Sequence, residues 1–180
     1  TGRFVTEKSL LSTTGYFDII NDELWLEMFE SLDLDIRMIP EVLDCGVVVG
    51  KILPQVAKKL KLKDDVRIVT GAMDQVTGAI GAGNTRPGLV SETTGTALTV
   101  ALTCVDPDMS HPLRLTIYRH AMKGKYLYIP VCMTAGIALK WFKDEFCLDL
   151  TAKAEREGSS PYLLIDRLVE AVNPGSDDLI

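Results

Sequence analysis

The residue patterns of several common enzyme classes are missing from this sequence of 180 residues. Histidine occurs only at His111 and His120, and neither has the neighbours that a catalytic triad or an HExxH metal site needs. No GxxxxGK[ST] phosphate loop is present, and the GxGxxG pattern that begins at Gly81 fails at Arg86. The sequence therefore excludes P-loop and dinucleotide-fingerprint enzymes, and structural or surface roles are favoured for both histidines.

Cysteine is sparse as well, with four scattered residues and no CxxC pair at Cys45, Cys104, Cys132 and Cys147. This spacing excludes zinc ribbons and thioredoxin-type sites. Three of the four lie in apolar runs, which is typical of reduced, buried thiols, so we expect a cytoplasmic protein. No apolar run approaches the length of a membrane span and no signal peptide is found, so we expect no membrane contact.

Positive charge is in deficit, because 19 Lys and Arg residues face 25 Asp and Glu residues and the net charge is −6. Nucleic-acid binding needs clustered cations, so we expect no nucleic-acid partner. The local run of Lys58, Lys59, Lys61 and Lys63 is interpreted as a solvated face rather than a basic binding patch. With 47% apolar and 24% charged residues, the composition is that of a globular protein with an adequate core.

Apolar periodicity predicts an α/β chain whose pattern changes near residue 88. Helices are predicted at 21–32 with Asn21 as N-cap, at 54–60, at 75–83, at 134–146 with Thr134 as N-cap, and at 160–172. Strands are predicted at 66–70, where burial is expected, and at 89–91, 97–103, 115–122 and 126–132. The last three of these form an antiparallel group with a hairpin at Lys123-Gly124-Lys125, and we expect two domains, 1–88 and 89–180.

Asp74 is the first candidate for chemistry, because it follows the predicted strand 66–70 and precedes a small-residue helix at 75–83. A carboxylate at the carboxyl end of a sheet lies where α/β enzymes keep their sites, and partly desolvated it could accept a proton from an alcohol. The alternative is that Asp74 only caps the helix, and the local pattern by itself favours the cap. The glycine-rich helix should form only if packing rewards a close backbone approach.

Two further segments could contact an anion. Thr93-Thr94-Gly95-Thr96 offers hydroxyls and N–H groups around a glycine, but it lacks a lysine and could only assist a metal-bound phosphate; a tight hairpin turn is the favoured alternative. Thr134-Ala135-Gly136 begins a predicted helix, whose free N–H groups and positive dipole end could face a ligand that Gly136 does not obstruct. An ordinary helix start is the alternative there.

Taken in chain order, these segments resemble the centre of the FGGY carbohydrate kinases, and in particular xylulokinase-like and glycerol-kinase-like enzymes. The resemblance spans essentially the whole chain and is carried by residues 13–18, Trp25, 39–42, 49–50, 71–83, Pro87-Gly88, Gly95-Thr96, 134–136 and 139–142. It implies an actin-like, ribonuclease H-like pair of α/β domains that closes over ATP and sugar. Residues 1–88 would be the end of the sugar-binding domain, and 89–180 the start of the ATP-binding domain.

The resemblance also implies a reaction and a set of site residues. The intact enzyme would transfer the γ-phosphoryl group of ATP, with Mg²⁺, to a hydroxyl of a ketose or polyol, with xylulose favoured, and a homodimer is left open. Asp74 would be the catalytic base on the sugar hydroxyl, and Gln75 would also touch the substrate. The residues implied to contact ATP are Gly95, Thr96, Gly136 and Lys140.

The sequence departs from the family pattern in two respects. Ala97 stands where the family usually has a serine after the Gly-Thr pair, which removes one hydroxyl near the nucleotide. The family's first phosphate loop and its sugar-contacting residues would precede Thr1, and its adenosine segment would follow Ile180, so we expect the isolated 180 residues to be inactive. A non-catalytic actin-like regulatory or assembly module is the alternative function. An unrelated α/β binding domain, without a hinge near residue 88, is the third.

Overall fold

The computed structural model describes residues 1–110 and 115–176, and this part of the chain is a mixed α/β structure. Its helices are α1 Lys8–Leu11, α2 Leu26–Ser31, α3 Pro54–Leu60, α4 Asp74–Gly81, α5 Gly136–Phe146, α6 Leu148–Glu157 and α7 Pro161–Val169. Its strands are β1 Val5–Glu7, β2 Phe17–Asp18, β3 Glu23–Leu24, β4 Glu41–Leu43, β5 Val48–Lys51, β6 Arg67–Val69, β7 Val90–Thr94, β8 Leu98–Cys104, β9 Ile117–Arg119, β10 Tyr126–Tyr128 and β11 Val131–Cys132. The described helices are all too short or too polar to cross a membrane. His111, in the predicted proline loop, lies outside the described residues.

The chain forms two compact units. The first comprises Thr1–Glu92 together with Thr99–Pro130, and the second comprises Thr93–Leu98 together with the chain from Val131 onward. Most of the strands that follow residue 88 belong to the first unit, so the units do not divide the chain there. The assignment of 1–88 and 89–180 to the two domains of a kinase stays a prediction.

The first unit begins with three small two-stranded sheets. β1 and β4 pair in parallel, β2 and β3 form a hairpin, and β5 pairs antiparallel with β6 across an irregularity at β5. The predicted burial of the β6 strand is wrong, because all three of its residues are exposed. Asn21 as a helix N-cap is also wrong: its side chain donates to Asp18 inside the β2–β3 turn, and α2 begins only after Trp25.

The predicted group of antiparallel strands is confirmed as β8-β10-β9, with β7 paired to β8. Leu127 on the central strand β10 lies opposite Thr103 on β8 and Tyr118 on β9. The hairpin between β9 and β10 turns at Gly124, whose positive φ of 72° suits glycine. These strands present an apolar face to α4.

Helix α4 packs on this face and forms the core of the first unit. Val76 and Ala79 of the helix are buried with Ala101, Leu127 and Ile129 of the strands and their extensions. Full burial of one large apolar side chain stabilises a fold by about 1.5–3 kcal/mol. This core therefore fixes the helix whose first residue is Asp74.

The glycines of α4 do not serve a close backbone approach among the described residues, contrary to expectation. A Cβ built on Gly78 or Gly81 meets no atom within 4 Å, and both residues are exposed. The helix forms because Val76 and Ala79 are buried, which outweighs the poor helix propensity of glycine, about 1 kcal/mol per residue relative to alanine.

A buried polar cluster joins the end of α4 to the strands. The Asn84 amide donates to the Ala101 carbonyl at 2.8 Å, and its oxygen accepts from the Thr103 hydroxyl at 2.8 Å. His120 is buried beside it, and its Nδ1 accepts from the Met122 N–H. Burial lowers the pKa of His120, so the ring is neutral at pH 7. The structural role predicted for His120 is confirmed.

The second unit contains β11 and the helices α5, α6 and α7. The predicted cap at Thr134 is wrong, because Ala135 occupies the N-cap position of α5 without a side-chain bond. The predicted helix at 160–172 is confirmed as α7, and the Ser160 hydroxyl caps it by accepting from the Tyr162 N–H. The sequence analysis missed α6, although this helix is rich in Ala, Leu, Lys, Glu and Arg, which are good helix formers. α5 buries none of its side chains, and Trp141 is 57% exposed.

Candidate functional site

Asp74 is the first residue of α4 and its carboxylate is exposed. Its Oδ1 accepts from the N–H of Gln75 at 2.7 Å. Asp74 is not the N-cap residue of α4, because that position belongs to Met73, whose side chain makes no cap bond. The carboxylate is thus accessible and held near the positive end of the helix, but it is not desolvated by the described residues.

Gln75 is half-buried and oriented by one hydrogen bond. Its Oε1 accepts from the hydroxyl of Thr99 at the start of β8, at 3.0 Å. This bond occupies the amide oxygen, so the NH₂ group of the amide remains available as a donor. Asp74 and Gln75 therefore place an acceptor and a donor next to each other at the start of α4.

The predicted nucleotide contacts Gly95, Thr96 and Gly136 come together in the second unit. The connection between β7 and β8 turns tightly, with the Gly95 N–H donating to the Ala97 carbonyl at 2.8 Å. The favoured alternative of a hairpin turn is therefore correct for its backbone. The same turn docks on α5, because the N–H groups of Ala135 and Gly136 donate to the carbonyls of Thr96 and Gly95 at 2.9 and 3.0 Å.

This docking corrects one expectation about the start of α5. The N–H of Gly136 is not free for an anion, because the Gly95 carbonyl accepts it. The glycine is required for a different reason: a Cβ at this position would lie 2.3 Å from the Gly95 oxygen. What remains available on the turn is the hydroxyl of Thr96, which is exposed and has no hydrogen-bond partner among the described residues.

Lys140 follows Gly136 by one helical turn on α5 and is 65% exposed on its side chain. Its Nζ lies 2.5 Å from Asp144 Oδ2, and this hydrogen bond raises the pKa of Lys140 and lowers that of Asp144. The pair is an exposed i,i+4 contact that contributes little to stability. The lysine is therefore positively charged and accessible, as a nucleotide contact requires.

The sequence analysis missed a cavity of about 280 Å³ in the first unit. Lys8 Nζ lies 2.7 Å from Asp22 and 2.7 Å from Asp44, and Arg119 Nη2 lies 2.8 Å from Asp22. Burial acts to lower the pKa of Lys8, but the two carboxylates raise it. These charges pair with each other, but Asp22 Oδ1 and Arg119 Nε are buried and have no hydrogen-bond partner among the described residues, so the ion pairs do not satisfy the whole cluster.

No group of three or more His, Cys, Asp or Glu side chains within residues 1–110 and 115–176 could hold a metal ion. A Mg²⁺ ion carried by nucleotide phosphates does not require such a group, since Mg²⁺ is held largely by phosphates and water in many kinases. The chain's own residues are accordingly not assigned to a metal.

Characterised proteins and one family model are similar to this chain in sequence. The autoinducer-2 kinase of Escherichia coli K12 is 26% identical over 179 residues, which is 97% of this chain and 33% of the relative. Residues 1–81 match the model of the FGGY family of carbohydrate kinases, N-terminal domain. The predicted resemblance to the FGGY carbohydrate kinases is confirmed. It spans about a third of the length of the curated relatives it matches.

Two solved kinase structures are similar in fold to the chain along its whole length. Gluconate kinase from Lactobacillus acidophilus matches with a TM-score of 0.85 and 22% identity, covering 100% of this chain and 35% of that protein. Ligand-bound xylulose kinase from the same organism matches with a TM-score of 0.84 and 22% identity, covering 100% and 34%. Identities this low establish the fold alone, and the predicted actin-like, ribonuclease H-like α/β fold is confirmed.

Cys45 lies beneath the start of α4 and should react slowly. Burial, and then the hydrogen bond from its Sγ to Glu7 Oε2 at 2.7 Å, raise the pKa of the Cys45 thiol to about 11. At pH 8 we expect its alkylation by iodoacetamide to be about a hundredfold slower than that of an ordinary thiol, because the thiolate fraction is lower. Mass spectrometry of the full-length protein measures the rate, with exposed Cys132 as the internal reference.

The same pKa shift predicts how the contribution of Cys45 to the stability of the fold depends on pH. Because the folded-state pKa of Cys45 exceeds its ordinary value of 9.0, the stability it contributes is fully present below pH 9.0 and is lost as pH rises through about 11. Alkylation of Cys45 at pH 8 as fast as that of Cys132 would contradict the assignment.

Proposed function

We propose that the protein is an ATP-dependent kinase that phosphorylates a hydroxyl of a ketose or polyol. The observation that carries the proposal is the start of α4, where the accessible carboxylate of Asp74 and the oriented amide of Gln75 lie side by side. The family supplies the general class, carbohydrate kinase. Because the chain spans about a third of the length of its relatives, the activity is proposed for the full-length protein. The 180 residues alone are expected to be inactive.

Asp74 is proposed to accept the proton of the attacking hydroxyl. Phosphoryl transfer needs little covalent chemistry from the protein, and positioning and charge neutralisation dominate. A base supplies a factor of about 10²–10⁴ when it lies within hydrogen-bond reach of the proton. The NH₂ group of Gln75 would donate to a neighbouring hydroxyl or carbonyl oxygen of the substrate and so hold the attacking group against Asp74.

The turn at Gly95 and Thr96 is proposed to contact the phosphates of ATP. Its exposed Thr96 hydroxyl is a donor without a partner among the described residues, and the turn is rigid because α5 holds its carbonyls. The turn carries no cation of its own, so Mg²⁺ would supply the charge neutralisation when it is bound with the nucleotide. Lys140 would add a single positive charge, although Asp144 competes for it.

The substrate class is proposed as a ketose or polyol, with xylulose first. A donor and an acceptor held side by side suit a substrate with adjacent hydroxyls, or a hydroxyl beside a carbonyl. Relatives act on chemically related small molecules, as the names gluconate kinase, xylulose kinase and autoinducer-2 kinase indicate. The cytoplasmic location and a homodimer stay predictions.

A coupled assay of ADP formation tests the proposal directly. We expect the full-length protein to release ADP from MgATP in the presence of one sugar of a panel that includes xylulose, glycerol, gluconate and an autoinducer-2 precursor, and to show only slow release without sugar. Calorimetry with ATP and Mg²⁺ serves as the companion measurement. A protein that binds neither ATP nor any sugar of the panel would contradict the proposal and favour a non-catalytic regulatory or assembly module.

A further inference from the structure

A buried hydrogen-bond network lies directly beneath the start of α4. Glu7 and Ser9 are only 6% and 0% exposed, although both are polar. Glu7 Oε2 accepts from the N–H and from the hydroxyl of Ser9, each at 2.7 Å, and Glu7 Oε1 accepts from the N–H of Leu10 at 2.8 Å. The Cys45 thiol donates to the same carboxylate at 2.7 Å. Every polar atom of this carboxylate is thus engaged within the first unit.

The network continues from Ser9 to the residue that precedes Asp74. The hydroxyl hydrogen of Ser9 is given to Glu7, so its oxygen is oriented as an acceptor, and it accepts from the N–H of Met73 at 2.9 Å. Met73 is the N-cap residue of α4, and its own side chain makes no cap bond. A contact between residues 64 positions apart therefore holds the backbone at the residue that precedes Asp74.

We propose that Ser9 is a positioning residue for Asp74, acting through the main chain of Met73, with Glu7 holding Ser9 in its acceptor orientation. This inference rests on the proposed role of Asp74 as the base. Ser9 is fully buried and cannot touch a substrate. The carboxylate of Asp74 has one bond from its own neighbour and so takes its position from the backbone at 73–75. A misplacement of about 1 Å in a reacting group can cost about a hundredfold in rate.

Ser9→Ala in the full-length protein tests the inference. We expect kcat to fall by about tenfold to a hundredfold, with KM for ATP changed by less than about threefold, because the start of α4 is displaced while the proposed ATP contacts on the Gly95–Thr96 turn remain. Hydrogen exchange at the Met73 amide should become faster. Glu7→Gln, which keeps the side-chain size but replaces one acceptor by a donor, should shift both readouts in the same direction and serves if Ser9→Ala does not fold.

Ser12→Ala is the matched control. Its hydroxyl also accepts from a distant backbone N–H, that of Arg119, at 2.9 Å. Arg119 belongs to β9 and is not a sequence neighbour of Asp74. We expect kcat within about twofold of wild type, as for a substitution away from the site. Equal losses in Ser9→Ala and Ser12→Ala, or an unchanged Met73 exchange rate in Ser9→Ala, would overturn the inference.

Different results would contradict the inference and the proposed function. If Asp74→Asn is inactive but Ser9→Ala and Glu7→Gln keep the wild-type kcat, the positioning role is wrong and the proposed function stands. If Asp74→Asn retains the wild-type kcat, Asp74 is not the base and the positioning role is overturned with it, whereas the proposed kinase function stands. A full-length protein that binds neither ATP nor any sugar of the panel overturns the proposed function.

Discussion

Replacing Asp74 by asparagine should reduce kcat of the full-length protein by a factor of about 10²–10⁴. The amide keeps the size of the side chain and can still accept from the Gln75 N–H, so the fold of α4 should not change. It cannot take up a proton at neutral pH, and the sugar hydroxyl would have to react without a base. ATP binding, measured by calorimetry, should stay within about twofold of wild type.

Asp149→Asn is the control for this substitution. Asp149 is also an exposed acid in the first turn of a helix, α6, and it belongs to no proposed site. The loss of its charge removes a similar interaction with the helix dipole, about 0.3–1 kcal/mol, so the comparison isolates the chemistry from the electrostatics of a helix start. Turnover by Asp74→Asn at the wild-type rate would remove Asp74 from the mechanism.

The second large effect is expected for Gly136→Ala. The new Cβ would stand 2.3 Å from the Gly95 oxygen and 3.3 Å from the Gly95 carbonyl carbon, and both are main-chain atoms that cannot rotate away. Relieving this overlap breaks the bond from the Gly136 N–H to Gly95, at a cost of about 1–3 kcal/mol. The Gly95–Thr96 turn would leave α5, and Kd for ATP should rise by about tenfold or more.

Gly78→Ala controls for the change of residue type. Gly78 also lies in a helix, but its added Cβ meets nothing within 4 Å among the described residues. Alanine has the better helix propensity by about 1 kcal/mol, so this variant should be as stable as wild type or more stable, with Kd for ATP unchanged. If Gly136→Ala binds ATP as tightly as Gly78→Ala does, the docked turn has no part in nucleotide binding.

The motifs in the sequence named candidate residues in each of the two units. Asp74 and Gln75 could be found because a strand, a small-residue helix and the family pattern meet there. Gly95, Thr96 and Gly136 could be found because glycines and threonines stood at predicted turns and helix starts. The purpose of Gly136 was not evident, since a glycine that admits a ligand and one that admits a carbonyl look the same in sequence.

Other parts of the site had no local signal. Ser9 and Glu7 lie in a stretch without clear periodicity, and their contact with Met73 joins residues 64 apart. A serine that accepts from the backbone N–H of a residue far along the chain produces no recognisable spacing in the sequence. The exposed strand β6 was expected to be buried, because an apolar run does not reveal whether neighbours cover it.

By itself the sequence determined the elements with strong local causes. Pro54 and Pro161 begin α3 and α7 because proline is pre-set for a first helical position, and Gly124 turns a hairpin because it adopts a positive φ. The tertiary structure alone decided which polar groups meet: the Ser9 hydroxyl with Met73 and the Gly95 carbonyl with Gly136. The reason is physical, since periodicity records which face of an element is apolar, whereas a hydrogen bond between distant segments depends on how their backbones pack.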